Sequence, residues 1–438
     1  MDSLVASSLG RLPPAEIEDF RQSNIQRFLS SNRAILGLAL VCSIIIPELF
    51  HDDIARLLPW FKPTATGWLK PQLLLVAASV IIGHLSLMRL GLLPLVTTRS
   101  LIVPTFAASF GSVVIVFQLL QIQPGRYHLW TGFIAAVGWY LLVAHLRGRY
   151  LRPSIGLIGP IDASQIALPQ SVKKVVIAEP RLTGPVSAVL VEDETRLDLA
   201  WSKFITKLVL SGVPVYQASG FMEALTGRVR FKTDADNDIG ALLPSFAYGK
   251  TKRILDLLGC LILVLPFLVI IGIACLAIRI ESRGPVIFRQ VRRGYRGKPF
   301  VCLKLRTMRS DAQGSDFTLE HDPRITRVGK LLRQWRIDEM PQIINVIRGE
   351  MSWIGPRPEA LRLARRYSAS IAFYDYRHAV RPGITGWAAV HQGNVGDVDA
   401  AQLKLEYDFY YIRNFSPWLD FLIVIKTFRT VFSRFGSR

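Results

Sequence analysis

Four long apolar runs occupy most of the first third of the chain and limit what it can fold into. They are Ala34 to Leu49, Leu73 to Leu95, Leu101 to Leu120 and Leu129 to Leu146. Each has about the length that a helix needs to cross the hydrocarbon core of a bilayer. The sequence therefore predicts a membrane protein with a four-span helical bundle.

The net charge of +20 narrows the range of partners. Clustered Lys and Arg favour nucleic acid, anionic lipid headgroups or a phosphorylated substrate. Because four spans are predicted and no DNA-binding motif is present, we expect a lipid bilayer and a phosphate ligand, and no nucleic acid. The spans carry few ionisable groups, which disfavours a transporter or channel.

Basic residues flank the block of four spans on both sides. An even number of spans leaves both ends of the block on one face of the membrane, and the positive-inside rule makes that face cytoplasmic. We therefore predict a cytoplasmic segment at 1–33, the spans at 34–149 and a multi-pass protein of the bacterial inner membrane. The basic residues before and after the block are Arg11, Arg21, Arg27, Arg33, Arg147, Arg149 and Arg152.

Residues 150–248 change to short β-like runs that alternate with helical stretches. This pattern predicts a small α/β Rossmann-like module with a parallel sheet. Its Gly156-Leu-Ile-Gly159 turn is shorter than a GxGxxG fingerprint, so both a nucleotide site and a structural or regulatory module remain open. The runs are Ile155 to Ile158, Val175 to Ile177 and Val186 to Val191, with a helical stretch from Leu197 to Leu210.

A fifth apolar run, Leu257 to Ile278, has basic residues at both ends. Pro266 lies in its middle, where proline removes a helix hydrogen bond and favours a kink. One interpretation is a re-entrant helical hairpin with both ends in the cytoplasm. The other is a kinked fifth span, which would place everything after Ile278 outside the cell.

The chemistry-bearing residues follow this run. A basic, glycine-containing stretch from Arg289 to Arg309 suits a pyrophosphate or a lipid headgroup. Asp338 and Glu339 precede Pro341, which favours a helix start, so the helix dipole would favour ionised carboxylates there. Such a pair can supply a nucleophile and a magnesium ligand for phosphate chemistry, or can simply cap the helix.

Two proline-containing loops present further charged residues. One is Gly355-Pro356-Arg357-Pro358-Glu359, and the other is Arg381-Pro382-Gly383-Ile384-Thr385-Gly386. Each fixes a basic residue on a turn, which suits recognition of a charged ligand. A structural turn with a surface ion pair is the alternative for both.

Seven blocks between Lys252 and Thr430 together resemble the polyprenyl-phosphate hexose-1-phosphate transferases, the initiating phosphoglycosyl transferases of bacterial glycan assembly. The four spans and the α/β module before them resemble the large, N-terminally extended form of that family. The blocks are Lys252-Arg253-Ile-Leu-Asp256, Phe288-Arg289-Gln290-Val-Arg292-Arg-Gly294, Lys304-Leu-Arg306-Thr307-Met308, Asp322-Pro-Arg324-Ile-Thr326-Arg-Val-Gly329, Asp338-Glu339-Met-Pro341-Gln342 and the two loops above.

The resemblance implies a mainly α monotopic catalytic domain at 249–438 with a re-entrant helix broken at Pro266. Leu265 stands where the family usually has serine, so a serine hydrogen bond at the break is absent. By the same resemblance Asp338 is the nucleophile and Glu339 the Mg²⁺ ligand. Arg357 and Glu359 would hold the nucleotide-sugar, and Lys304, Arg306 and Arg381 would bind phosphate.

The implied reaction moves a hexose-1-phosphate from a UDP-sugar donor to the acceptor undecaprenyl phosphate and releases UMP. It would pass through a phosphosugar on Asp338 and initiate exopolysaccharide, capsule or O-antigen synthesis. Glucose or galactose is expected before N-acetylated sugars. The alternative is a non-catalytic membrane scaffold or regulator of a polysaccharide assembly and export machine. The sequence leaves a homo-oligomer open.

Overall fold

A computed structural model describes residues 24–49, 71–93, 98–121, 126–151, 154–159, 172–182, 184, 186–192, 198–230, 244–309, 322–392 and 398–433. The chain divides into two compact units, Met1–Gly227 and Arg228–Arg438. Of the basic residues that predict the membrane orientation, Arg11, Arg21 and Arg152 lie outside the described residues.

Long apolar helices make up the first part of the N-terminal unit. A π-helical turn, Val41–Ile45, joins α2 to α3, so these two elements form one rod. By length and composition, Asn32–Leu49, Gln72–Leu90, Thr98–Leu119 and Tyr127–Tyr150 could each cross a membrane, which confirms the predicted apolar helices. The helices are α1 Asn24–Ser30, α2 Asn32–Leu40, α3 Ile46–Leu49, α4 Pro71–Leu90, α5 Thr98–Leu119 and α6 Arg126–Tyr150.

Polar contacts connect these helices. His84 Nδ1 lies 2.6 Å from the Tyr140 hydroxyl, and both side chains are buried. His128 Nε2 lies 2.8 Å from a carboxylate oxygen of Glu48. Because neighbouring apolar helices gain little from hydrophobic contact within lipid, such polar pairs help to hold them together.

A four-stranded parallel sheet follows, with strand order β2-β1-β3-β4. The central strands are almost fully buried, as expected of a parallel sheet. Gly156, which was predicted in a turn, lies within the strand Ser154–Ile158. A Cβ there would lie 2.6 Å from Ile177 Cδ1, so the end of the Ile177 side chain would have to move. The small parallel sheet is confirmed. Its elements are β1 Ser154–Ile158, β2 Lys173–Val176, β3 Ala188–Val191, α7 Leu199–Leu210, β4 Val215–Gln217 and α8 Ala218–Thr226.

The C-terminal unit is mainly helical, with two small sheets. The strands β5 and β6 form an antiparallel hairpin, and β7 and β8 pair in parallel. Its elements are α9 Phe246–Glu281, β5 Ile287–Arg293, β6 Pro299–Leu305, α10 Arg327–Gln334, a 3-10 helix Ile337–Gln342, α11 Ile343–Arg348, β7 Ser352–Ile354, α12 Leu361–Ser370, a 3-10 helix Tyr374–Ala379, β8 Gly383–Thr385, α13 Trp387–His391, α14 Val398–Arg413 and α15 Pro417–Phe432.

The 36-residue helix α9 runs through Pro266 without interruption, so the helix break expected at this proline is not observed. A proline removes one helix hydrogen bond, and the turns on either side continue the helix. Before the proline, Cys260 packs in a cluster with Cys302 of β6. After it, Ile278 packs in a second cluster with Leu305 of the same strand. The helix therefore packs against one domain on both sides of Pro266.

Asp420 of α15 binds side chains at the start of α9. The Lys252 ammonium and the Tyr248 hydroxyl both donate to its Oδ2, at 2.5 Å each. The Tyr411 hydroxyl donates to its Oδ1 at 2.9 Å. Lys252 and Asp420 are both buried, and breaking a buried ion pair by removing one partner costs about 3–5 kcal/mol.

Candidate active site

Asp338 and Glu339 lie in the 3-10 helix between α10 and α11. Thr326 begins α10 by accepting a hydrogen bond from the Gly329 amide at 2.9 Å. The α-helix expected at Pro341 begins at Ile343, so the two carboxylates occupy the tighter 3-10 turn before it. Both are buried, with 7% and 5% of their surfaces exposed.

Three cationic side chains surround the Glu339 carboxylate. The Arg357 guanidinium donates from Nη2 to Oε1 and from Nη1 to Oε2, the latter at 3.1 Å. Lys304 Nζ donates to Oε1 at 3.3 Å, and Arg336 Nη1 lies 3.9 Å from the same oxygen. Burial would raise the pKa of Glu339, but Arg357 and Lys304 hold that pKa well below its usual range. Glu339 is therefore ionised at neutral pH.

Asp338 is placed differently from its neighbour. Its Oδ1 is buried and accepts no hydrogen bond within the described part of the chain. Burial and then the charge of Glu339 raise the pKa of Asp338 to about 6, although Lys304, Arg357 and Arg333 oppose the shift. A helix dipole was expected to lower the pKa of Asp338, but the loss of water on burial has the larger effect and raises this pKa. An unpartnered carboxylate of raised basicity is suited to act as a nucleophile.

The two proline-containing loops meet backbone to backbone, and this contact positions Arg357. The Gly355 amide donates to the Thr385 carbonyl at 2.9 Å. A Cβ at Gly383 would lie 2.1 Å from the Gly355 nitrogen, and one at Gly386 would lie 2.1 Å from the Gly355 carbonyl oxygen. The glycines of both motifs are therefore required by the close approach of the two loops.

A second network, of buried ion pairs, contacts the loop that contains Arg357. Arg377 Nη2 donates to the Arg357 carbonyl at 3.0 Å and lies 2.7 Å from Asp408 Oδ2. Glu359 is paired with Lys404 and lies 3.7 Å from Arg377 Nη1. Burial would raise the pKa of Glu359, but Lys404 and Arg377 lower it to about 2. In this structure the Glu359 carboxylate binds protein cations and holds the loop that presents Arg357.

Two of the predicted phosphate-binding residues donate to backbone groups. Arg306 donates to the carbonyls of Ser282 and Arg283, at 2.7 and 2.9 Å, and so caps the end of α9. Arg381 donates from Nε to the Gly349 carbonyl at 3.0 Å, and its guanidinium lies over the Tyr295 ring. The structure thus brings Lys304 and Arg357 to the two carboxylates and gives Arg306 and Arg381 backbone partners. Their substrate-binding roles stay predictions.

Sequence reasoning assigned no role to Arg333, Arg377, Lys404 or Asp408. Arg333 donates from Nε to the Thr307 hydroxyl at 2.8 Å, and its charge acts on Asp338. A basic residue five positions before the Asp-Glu pair was the available signal for Arg333. Asp408 and Lys404 are far from the motifs along the chain, so no local pattern marks them.

Glu339 is the residue that would hold a Mg²⁺ ion if one binds here. The described residues contain no group of three His, Cys, Asp or Glu side chains that could form a metal cage. Mg²⁺ commonly binds through one or two carboxylates together with substrate phosphates and water. Glu339 Oε2 accepts one hydrogen bond within the described ranges, from Arg357, so it has capacity for a further ligand.

Comparison with known proteins gives concordant matches. The family description "bacterial sugar transferase" matches residues 247–434. A UDP-N-acetylgalactosamine-undecaprenyl-phosphate N-acetylgalactosaminephosphotransferase of Aeromonas hydrophila is 38% identical over 340 residues, which cover 77% of this chain and 80% of that protein.

Two further relatives match over 192 residues each, and both are UDP-glucose:undecaprenyl-phosphate glucose-1-phosphate transferases. The protein of Caulobacter vibrioides is 43% identical over 192 residues, which cover 43% of this chain and 72% of that protein. The protein of Escherichia coli strain K12 is 43% identical over 192 residues, which cover 43% of this chain and 40% of that protein.

The raised pKa of Asp338 predicts that its charge destabilises the fold. The pKa of Asp338 is about 6 in the folded protein, against an ordinary value of 3.8. The folded protein therefore loses stability as the pH rises from about 3.8 to about 6, because the carboxylate ionises less readily in the folded than in the unfolded state. Asp338→Asn removes this cost, so we expect the variant to be more stable at pH 7.5 by about 1–3 kcal/mol. Thermal unfolding in detergent between pH 4 and 8 measures the difference.

The advantage of Asp338→Asn should grow between pH 4 and 6 and stay constant above pH 6. Glu339→Gln is the matched control, because its loss leaves Arg357 and Lys304 without their buried counter-charge and should lower the melting temperature. An Asp338→Asn protein less stable than the parent at pH 7.5 would contradict this account, since the neighbouring cations would then stabilise the ionised form.

Proposed function

The chain belongs to the bacterial sugar transferase family, and we propose that it transfers a hexose-1-phosphate from a UDP-sugar to undecaprenyl phosphate with release of UMP. The observation that carries this proposal is the contrast between two adjacent buried carboxylates. Glu339 is held ionised by Arg357 and Lys304, whereas Asp338 keeps an unpartnered oxygen beside the same cations.

In the first step Asp338 Oδ1 attacks the sugar-bearing phosphorus of the donor. A bond forms between this oxygen and phosphorus, the bond between phosphorus and the bridging oxygen breaks, and UMP leaves with the electron pair. Lys304 and Arg357 offset the charge that develops on the phosphate oxygens. Glu339 would hold Mg²⁺, which when bound supplies further neutralisation of phosphate charge.

In the second step a phosphate oxygen of undecaprenyl phosphate attacks the same phosphorus. The acyl-phosphate bond to Asp338 breaks, the carboxylate is regenerated, and the product is undecaprenyl-diphospho-sugar. A covalent intermediate divides one difficult transfer between two bulky substrates into two steps. One site can then serve a soluble donor and a lipid acceptor in turn, which requires ping-pong kinetics.

The names of the relatives limit the choice of donor sugar. Two relatives that match 43% of this chain are named for UDP-glucose, which agrees with the expected hexose. The Aeromonas relative, which matches across 77% of this chain, is named for UDP-N-acetylgalactosamine. We therefore propose UDP-glucose, UDP-galactose and UDP-N-acetylgalactosamine as the donors to compare.

The contacts of α9 support a re-entrant helix on the cytoplasmic face of the inner membrane. Near its start Lys252 binds Asp420, and at its end Glu281 accepts hydrogen bonds from the Arg327 and Val328 amides. A helix that crosses about 30 Å of hydrocarbon would place these two polar ends on opposite faces. Both ends bind the same domain, so re-entry explains the contacts better than a fifth span.

The apolar surface of α9 fits the same placement. Five side chains around Pro266 are each more than half exposed, and burying them in lipid removes this apolar surface from water. Pro266 would then allow the helix to bend within the membrane. These side chains are Leu261, Ile262, Leu265, Leu268 and Val269.

Cysteine labelling tests the re-entrant placement. Lys250→Cys and Arg279→Cys introduce thiols at exposed positions near the two ends of α9. We expect an impermeant maleimide to label both variants in inverted membrane vesicles and neither in spheroplasts, with the parent protein as background. Gln121→Cys, at an exposed position two residues after the end of α5, is the control and should label only in spheroplasts. Labelling of Arg279→Cys from the outside would establish a fifth span instead.

UMP release tests the reaction. We expect the detergent-solubilised protein, with Mg²⁺ and undecaprenyl phosphate, to release UMP from one of the three UDP-sugars. Asp338→Asn should lower the rate at least about 10³-fold, because it removes the nucleophile. In the parent protein the rate should fall as pH decreases through about 6, where Asp338 becomes protonated.

The control is Arg365→Ala, an exposed residue of α12, which should keep the parental rate. Equal release by the parent and Asp338→Asn would keep the reaction and exclude this nucleophile. No release from any donor by folded protein would favour the scaffold or regulator.

A further inference from the structure

Arg333, in the last turn of α10, differs from the other cations of the active site in its partners. Three cations act on the charge of Asp338, and they are Lys304, Arg357 and Arg333. Lys304 and Arg357 form ion pairs with Glu339. Among the described residues, Arg333 has no carboxylate oxygen within 4.0 Å. Its guanidinium therefore acts on Asp338 from a distance, without a contact ion pair.

Two carboxylates and one further cation surround Arg333. Burial lowers the pKa of Arg333, the charges of Asp338 and Asp322 raise it, and the charge of Arg324 lowers it. Asp322 is bound on both oxygens by Arg324, with Nε 2.9 Å from Oδ1 and Nη2 2.6 Å from Oδ2. Asp338 Oδ1 accepts no hydrogen bond within the described ranges. The space between Arg333 and Asp338 thus separates a cation from a carboxylate that do not bind each other.

The Thr307 hydroxyl orients the Arg333 guanidinium. Arg333 Nε donates to Thr307 Oγ1 at 2.8 Å, and Thr307 is 7% exposed. The terminal nitrogens Nη1 and Nη2 donate no hydrogen bond in the part of the chain that the structure describes. A guanidinium presents its donors in a rigid planar fork that matches phosphate oxygens. Arg333 can therefore bind a phosphate and keep its contact to Thr307.

We propose that Arg333 is a further substrate-binding residue, whose two terminal nitrogens bind the sugar-bearing phosphate of the donor. This inference rests on the proposed function for the nature of the donor. Asp338 attacks the phosphorus that carries the sugar, so the oxygens on that phosphorus come next to Asp338, on which the charge of Arg333 acts. Lys304 and Arg357 also face Glu339, whereas Arg333 has no other anion in contact.

UDP and UMP distinguish the sugar-bearing phosphate from the phosphate that leaves. The terminal phosphate of UDP corresponds to the one that carries the sugar in the donor. UMP has only the phosphate that is attached to uridine. Loss of the Arg333 contact should therefore weaken the binding of UDP and leave that of UMP unchanged. If Arg333 only fastened α10 to Thr307, its replacement would affect both ligands equally.

The test is calorimetric titration of the full-length protein in nanodiscs with UDP and with UMP, in one Mg²⁺ buffer. We expect Arg333→Gln to bind UDP about tenfold more weakly, as loss of one charge-assisted contact implies, and to bind UMP as the parent does. Thr307→Val keeps the arginine but removes the acceptor that orients it, so it should lose part of the preference for UDP. The matched control is Lys330→Gln, which removes a positive charge from an exposed position of the same helix and should keep both affinities.

The ratio of the UDP and UMP affinities decides the proposal. Parental affinity for UDP in Arg333→Gln would overturn it, as would an equal loss of affinity for UDP and UMP. The same loss in Lys330→Gln would also overturn it, because positive charge in general would then be the cause. If Arg333→Gln does not fold, a parental ratio in Thr307→Val overturns the proposal instead.

The parent protein supplies one further check, since it must bind UDP more tightly than UMP for the proposal to hold. Binding of these nucleotides requires no turnover. A protein that prefers UDP through Arg333 but releases no UMP from any UDP-sugar would refute the transfer reaction and leave this inference standing.

Discussion

The buried contact between Glu339 and the Arg357 guanidinium is the interaction on which the arrangement of the site depends. Glu339 is 5% exposed, and among the charges that lower its pKa against the effect of burial, that of Arg357 is the largest, ahead of Lys304. The two Glu339 oxygens bring together Arg357, Lys304 and Arg336. The negative charge of Glu339 also contributes to the raised pKa of Asp338. The two adjacent carboxylates therefore differ in pKa, because neighbouring cations lower that of Glu339 while burial, followed by the charge of Glu339, raises that of Asp338.

The fold supplies this contact from distant parts of the chain. Lys304 comes from the β5–β6 hairpin, the carboxylates from a 3-10 turn, and Arg357 from a loop whose glycines touch a second loop. Arg377 donates a hydrogen bond to the Arg357 carbonyl and is itself paired with Asp408. Asp408 is only 1% exposed, so this ion pair is buried. Glu339 is paired with Arg357 and Asp408 with Arg377, and the need to pair these buried charges fixes the geometry. Asp338 is the exception, because its buried Oδ1 accepts no hydrogen bond within the described residues.

Much of the architecture could be predicted because it follows from short-range patterns. Apolar runs of bilayer length became long helices, and runs such as Ile155 to Ile158 became strands of a parallel sheet. The pairing of Asp338 and Glu339 with nearby cations was also accessible, since the residues share motifs. The helix that was expected to start at Pro341 begins at Ile343 instead, because Pro341 lies in the 3-10 helix that precedes α11.

Features that depend on tertiary contact could not be read from local sequence. Arg306 lies in a basic stretch that was expected to bind phosphate. Its guanidinium instead donates to the Ser282 and Arg283 carbonyls at the end of α9, which is a tertiary contact that the basic pattern does not predict. Glu359 looked available to a ligand, but Lys404 and Arg377 are its partners here. The direction of the Asp338 pKa shift depends on burial, and a helix-dipole argument from sequence takes no account of burial.

We propose that Asp338 carries the phosphosugar between the two half-reactions. The most direct measurement is intact-mass and peptide mass spectrometry of the protein after it has been mixed with its UDP-sugar in the absence of undecaprenyl phosphate. We expect one sugar-phosphate adduct on the peptide that contains Asp338, and we expect it to disappear when undecaprenyl phosphate is added. Steady turnover with no adduct, or an adduct on another residue, would contradict it.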